Sequence, residues 1–176
     1  MTLHALVLIV GLVLGAVVAV AVRRRGSDEP APTTRRILFP YVGTHLSTSA
    51  LDAALRIARV ENATLVPVYL APVPMALPLE SPMPRTCDRA FELEEVIEHR
   101  AAAAGVPVDG RIGRGRTIRH ALRQLLAEEP HDRIVIAAAT SRTDGLSPDE
   151  VAWLLEHADG EVVILRPAED TVLLAA

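Results

Sequence analysis

Apolar positions along the chain follow three regimes. From Leu3 to Val22 they are nearly continuous, with His4 the only strongly polar member. From Gly26 to Thr34 they almost vanish. From Arg36 onward short apolar runs alternate with stretches of helical spacing. Ile37 to Tyr41 is apolar without polar alternation, the pattern of a strand buried on both faces. Gly43 breaks it, and Ser47 stands as a helix N-cap before Leu51, Ala54, Leu55 and Ala58, which recur on one helical face. Ala63 to Ala71 predicts a second strand, in which Pro67 suggests an edge, a bulge or a bend. Pro72 to Pro84 is a proline-rich loop. A helix starting at Arg85 or Asp88 and running to Ala104 is closed by Gly105. Val106 to Ile112 predicts a third strand, Thr117 to Glu129 a helix with Ile118, Ala121, Leu122, Leu125 and Leu126 on one face, and Arg133 to Ala139 a central strand. Pro148 to Ala158 predicts a helix and Glu161 to Arg166 a fifth strand. Such alternation predicts the α/β class: a five-stranded parallel open sheet with helices on both faces, Rossmann-like. The apolar tail Thr171 to Ala176 has no assigned place.

The first regime predicts a transmembrane helix over residues 3–22. Twenty residues at about 1.5 Å each cover roughly the 30 Å of a bilayer core. Arg23, Arg24 and Arg25 follow the apolar run, whereas a secretory signal carries its charge before it. Ala19-Val20-Ala21 leaves a cleavage site as the competing reading. The arginines predict a single pass through the cell's inner (plasma) membrane, N-terminus outside and globular part cytoplasmic. Gly11 and Gly15 allow close helix pairing, or simply reflect the small residues common in such helices. Residues 23–35 form a basic flank and linker, 36–167 the α/β domain and 168–176 a tail.

Composition narrows the chemistry. A formal charge of −4 and only two Phe, two Tyr and one Trp argue against nucleic acid as a partner. Cys87 is the single cysteine, so there is no intrachain disulfide, and the six histidines lack a metal-binding spacing. No nucleophile–base pair can be named, which points away from an enzyme. Glu92, Glu94, Glu95 and Glu98 read as the wet face of a helix. Trp153 lies off the Val151/Leu154/Leu155/Ala158 stripe and either caps the core edge or sits in a contact.

The opening Arg36-to-Leu51 stretch, a strand ending near a proline, a Gly-Ser/Thr turn and an Ala-Leu helix, resembles the universal stress protein family. With Glu161-Val162-Val163-Ile164-Leu165-Arg166-Pro167 as the last strand, the likeness covers roughly Arg36 to Pro167. The resemblance implies an adenine-nucleotide-binding α/β fold and a homodimer along the last strand, Glu161 to Arg166. It also implies, in nucleotide-binding members, an aspartate just after the first strand and a Gly-x-x-Gly loop after the fourth, followed by Gly-Ser/Thr. Here Val42 stands at the aspartate position, and Ala137 and Thr140 at the first two glycines. In place of Gly-Ser/Thr comes Ser147-Pro148-Asp149-Glu150, a capping box with acids that repel phosphate. The expectation is therefore no cofactor and no ATP.

One basic turn, Gly113-Arg114-Gly115-Arg116-Thr117, could hold an anion, with Arg142 from the neighbouring loop; the competing reading is a flexible turn with solvated arginines. Three functions follow. The leading one is a membrane-anchored, non-catalytic regulatory or interaction module. The second is a nucleotide or phosphate sensor using Arg114 and Arg116. The third is an accessory subunit whose apolar helix packs on a protein partner in the membrane.

Overall fold

In a computed structural model of the chain, residues 35–139, 145–166 and 171–173 are described. The expected membrane helix, the linker and Arg142 lie outside them. Among the described residues no helix is long and apolar enough to cross a membrane. The elements run β1 (Arg36–Tyr41), β2 (His45–Ser47), α1 (Thr48–Glu61), β3 (Thr64–Pro72), α2 (Pro84–Ala104), β4 (Arg111–Gly115), α3 (Ile118–Glu128), β5 (Arg133–Ala137), α4 (Pro148–His157), β6 (Glu161–Leu165) and β7 (Thr171–Leu173).

Five strands form one parallel sheet in the order β4-β3-β1-β5-β6. The chain winds outward from β1 to one edge, then returns to place β5 on its other side. The C-terminal ends of β1 and β5 thus form the topological switch point, where ligands of such sheets bind. Strand alternation divides the core. Ile37, Phe39, Tyr41 and Leu65 pack with α1 and α2 on one face. Leu38, Val66, Val68, Leu70, Ile134 and Ile136 pack with α3 and α4 on the other. Full burial of each such Leu or Ile contributes about 1.5–3 kcal/mol.

Local chemistry sets the helix ends. Ser47 and Thr117 cap α1 and α3 through their hydroxyls, accepting from the amides of Ala50 and His120. α2 ends in a Schellman turn: Gly105 takes φ +69°, its N–H meets Ala102 O at 3.1 Å, and the Val106 N–H meets Ala101 O at 3.0 Å.

Four expectations change. β3 is an interior strand, although it contains Pro67. The Leu65 N–H and C=O both point to the β4 side, meeting Pro107 and Asp109. By alternation, the donor that Pro67 lacks is one that would face Asp109 O. It falls just before β4 begins, where a missing bond costs least. Second, the third strand in sequence is Arg111–Gly115 and not Val106–Ile112. Val106 is apolar because it completes the α2 turn and is buried there. Third, β2 and the tail strand β7 form an antiparallel pair, His45 opposite Leu173 and Ser47 opposite Thr171. Fourth, Glu94 is half-buried and not on the wet face: its carboxylate occupies the space a side chain at Gly110 would fill.

At the strands' N-terminal ends, arginines tie the sheet together. Arg36 bridges Asp109 and Glu129, Arg111 reaches the same two acids, and Arg133 joins Glu61 to Glu161. These pairs lie at the end of the sheet opposite the switch point.

Candidate functional site

The switch point is built from two chain segments. After β1, Val42 turns its side chain onto the apolar cluster that holds Leu38, Ile136 and Leu146. Gly43 then takes φ +79° and starts the turn into β2 and the Ser47 cap of α1. After β5, the chain returns at Gly145 and Leu146 and zips onto the strand end. Leu146 N–H donates to Ala137 O at 2.9 Å, and Ala139 N–H donates to Leu146 O at 2.7 Å. Gly145 is required here: its φ is +83°, and a Cβ would lie 2.4 Å from Ala137 O. Leu146 is fully buried.

α4 begins immediately beyond. Two of its N-terminal amides are engaged by the chain's own groups: the Ser147 hydroxyl accepts from the Glu150 amide, and the Glu150 carboxylate accepts from the Ser147 amide. Pro148 has no N–H to offer, and Asp149 adds a second carboxylate. On the other face of β1, Tyr41 and Tyr69 meet edge-on with centroids 5.5 Å apart, and the Tyr69 hydroxyl donates to Gly43 O at 3.3 Å. Burial raises both phenol pKa values; Glu94 and then Tyr69 push Tyr41 further the same way, while Arg89 pulls Tyr69 back. Both rings are therefore neutral, rigid supports for the turn.

The residues of the basic turn are distributed differently from expectation. Gly113, Arg114 and Gly115 belong to β4, paired with Leu70, Ala71 and Pro72. A Cβ on Gly115 would lie 2.3 Å from Ala121 N, so this glycine serves the close approach of α3. Arg116 points across to the proline-rich loop, and its Nη1 donates to Pro74 O and Leu77 O, each at 2.6 Å. Arg114 Nη1 donates to Ser81 O at 3.4 Å. The two guanidinium groups are joined on one loop and act there as staples. Among the described residues no His/Cys/Asp/Glu group is placed to hold a metal.

The profile of the universal stress protein family matches residues 33–166. The chain belongs to the universal stress protein family. Its fold is that of solved universal stress proteins. One from Burkholderia pseudomallei is 23% identical with a TM-score of 0.51, over 79% of this chain and 100% of that one. One from Lactobacillus plantarum is 18% identical with a TM-score of 0.54, over 77% and 100%. One from Arabidopsis thaliana, solved with AMP bound, is 15% identical with a TM-score of 0.54, over 77% and 94%. No curated protein matches.

Within this universal stress protein, the structure also holds a groove that no sequence motif announced. It lies between α1 and α2 and is lined by Arg56, Arg59 and Arg100. The only sequence signal was two arginines three residues apart on a helix whose opposite face is apolar.

Proposed function

We propose that this chain is a membrane-tethered, non-catalytic universal stress protein that works as a regulatory or interaction module at the cytoplasmic face, without a classical ATP seat. The observation that carries the nucleotide half of this reading is Val42. The residue at that point sits among Leu38, Ile136 and Leu146, and presents no acceptor to a base or sugar. The N-terminus of α4 supports it further, because the Ser147 and Glu150 amides are met by the capping box and the dipole already faces the carboxylates of Asp149 and Glu150.

The tether rests on the apolar Leu3-to-Val22 run and its following arginines. Pairing of two copies is supported by the edge position of β6, where Ile164 is 39% exposed and Leu155 of α4 is 55% exposed. A sensor built on Arg114 and Arg116 would first require Arg116 to release Pro74 and Leu77.

The test is a calorimetric titration of the full-length chain in neutral detergent with ATP, ADP and cyclic AMP, alongside alkaline extraction of membranes from cells expressing it. The reading expects no heat from a site at the strand ends and retention in the membrane pellet. Extraction into the supernatant, or saturable nucleotide binding that slows amide exchange from Val42 to Ser47, would contradict it.

A further inference from the structure

α1 and α2 pack side by side and leave a groove of ≈ 470 Å³ between them. Its lining is apolar at Leu55, Ala103 and Ala104 and basic at Arg56, Arg59 and Arg100. Asp52 is the one carboxylate in the lining and pairs with Arg100 at 2.8 Å. Arg56 and Arg59 are exposed and have no carboxylate within ion-pair distance among the described residues. Arg59, in the last turn of α1, is favoured there by the helix dipole. Arg56, a turn earlier, has no such reason. Three guanidinium groups and one carboxylate leave the groove with a net charge of +2, on a chain whose overall charge is −4. The groove runs on past the two helix ends, where a second hollow of ≈ 370 Å³ shares Arg59 and Ala104.

We propose that this groove binds a phosphate monoester, its phosphate held by Arg56, Arg59 and Arg100 and its organic part lying over Leu55, Ala103 and Ala104. A phosphate monoester carries about −1.5 to −2 charge at neutral pH and offers three acceptor oxygens to three guanidinium groups, where a carboxylate offers two; the C-terminal ends of α1 and α2 subtract about one charge from the side-chain excess, which Arg59 in the last turn of α1 partly offsets. Arginine forks suit its oxygens, and the small alanines let an organic group approach the helix backbones. The site lies beside α1 and α2, away from the strand ends, so it stands whether or not a nucleotide binds there. The same chemistry is offered by a free metabolite and by the headgroup of phosphatidic acid.

The experiment uses the full-length chain in neutral detergent. One arm titrates glycerol 3-phosphate. The other dopes the micelles with phosphatidic acid against phosphatidylcholine. Binding is read by thermophoresis, and its place by slowed hydrogen exchange over Leu55 to Glu61 and Arg100 to Ala104. Saturable binding in the first arm assigns a free phosphoester, and binding confined to the second assigns a lipid headgroup; either supports the site. The paired change Arg56→Glu and Arg59→Glu should weaken it at least about tenfold, with Arg56→Gln and Arg59→Gln weakening it less. Asp52→Asn frees Arg100 and should tighten it. Arg85→Glu, exposed at the far end of α2, should leave it unchanged. No saturable binding in either arm, or binding indifferent to the paired glutamates, overturns the proposal.

Discussion

Ser147 and Glu150 close on each other from both directions. The Ser147 Oγ accepts the Glu150 amide at 3.3 Å, and Glu150 Oε2 accepts the Ser147 amide at 2.8 Å. The helix end nearest the sheet's switch point thus has two of its amides paired from within. Its field meets two carboxylates, Asp149 and Glu150, before it can meet any ligand. Ser147→Ala is expected to lower stability in urea by about 1 kcal/mol. Glu150→Gln, which keeps an acceptor oxygen, should lose less.

The two glycines of β4 separate sharply by their neighbours. A Cβ on Gly115 would meet the backbone of Ala121 at 2.3 Å, whereas one on Gly113 would meet the Leu70 Cδ2 methyl at 3.2 Å. The first contact is with a helix that must shift; the second is with a side-chain end that can yield. Gly115→Ala should cost about 3 kcal/mol or more, and Gly113→Ala under about 1 kcal/mol, by thermal unfolding.

Arg116 should matter to the proline-rich loop before it matters to any anion. Arg116→Ala strips donors from Pro74 O and Leu77 O. Limited proteolysis within 73–83 should then accelerate several-fold, with a stability loss under about 1 kcal/mol, because both bonds are exposed and water can replace the guanidinium. Arg116→Lys should restore part of the protection.

Glu94 should reveal itself through pH. Burial first, and the neighbouring Glu98 second, raise its pKa, while Arg111 lowers it. A carboxyl whose folded pKa lies above its unfolded value favours the protonated native state. It therefore weakens the fold above its titration range, and that penalty fades as pH falls through it. Glu94→Gln is expected to raise the melting temperature at pH 7, with the gain shrinking as pH falls through the raised folded-state range and gone below about pH 4, where the carboxyl is protonated in both states. A gain independent of pH would point to packing and not charge.

The alternating elements and their caps could be read from the chain because they depend on neighbours in sequence: Ser47, Gly105 and Ser147 all do what their types predict. What was not legible depends on register. Pro67 is tolerated inside the sheet only because its missing donor falls just before β4 starts, and the sequence around it does not say which strand lies on that side. Val106 imitated a strand residue because a Schellman turn commonly packs an apolar side chain at the same spot. Of the two glycines in the basic turn, Gly115 gives clearance for α3 and Gly113 lies against Leu70 and Val68 of β3, and the sequence does not say which neighbour each one meets. Val42 and the capping box were visible in the sequence. Their meeting at one end of the sheet required the β1–β5 adjacency.

Hydrogen exchange with ATP tests the strand ends most directly. With full-length protein and saturating ATP, amides from Val42 to Ser47 and from Gly145 to Glu150 should exchange at their unliganded rates. Slowed exchange in both segments together would show a nucleotide seated at the switch point, and would contradict the central claim.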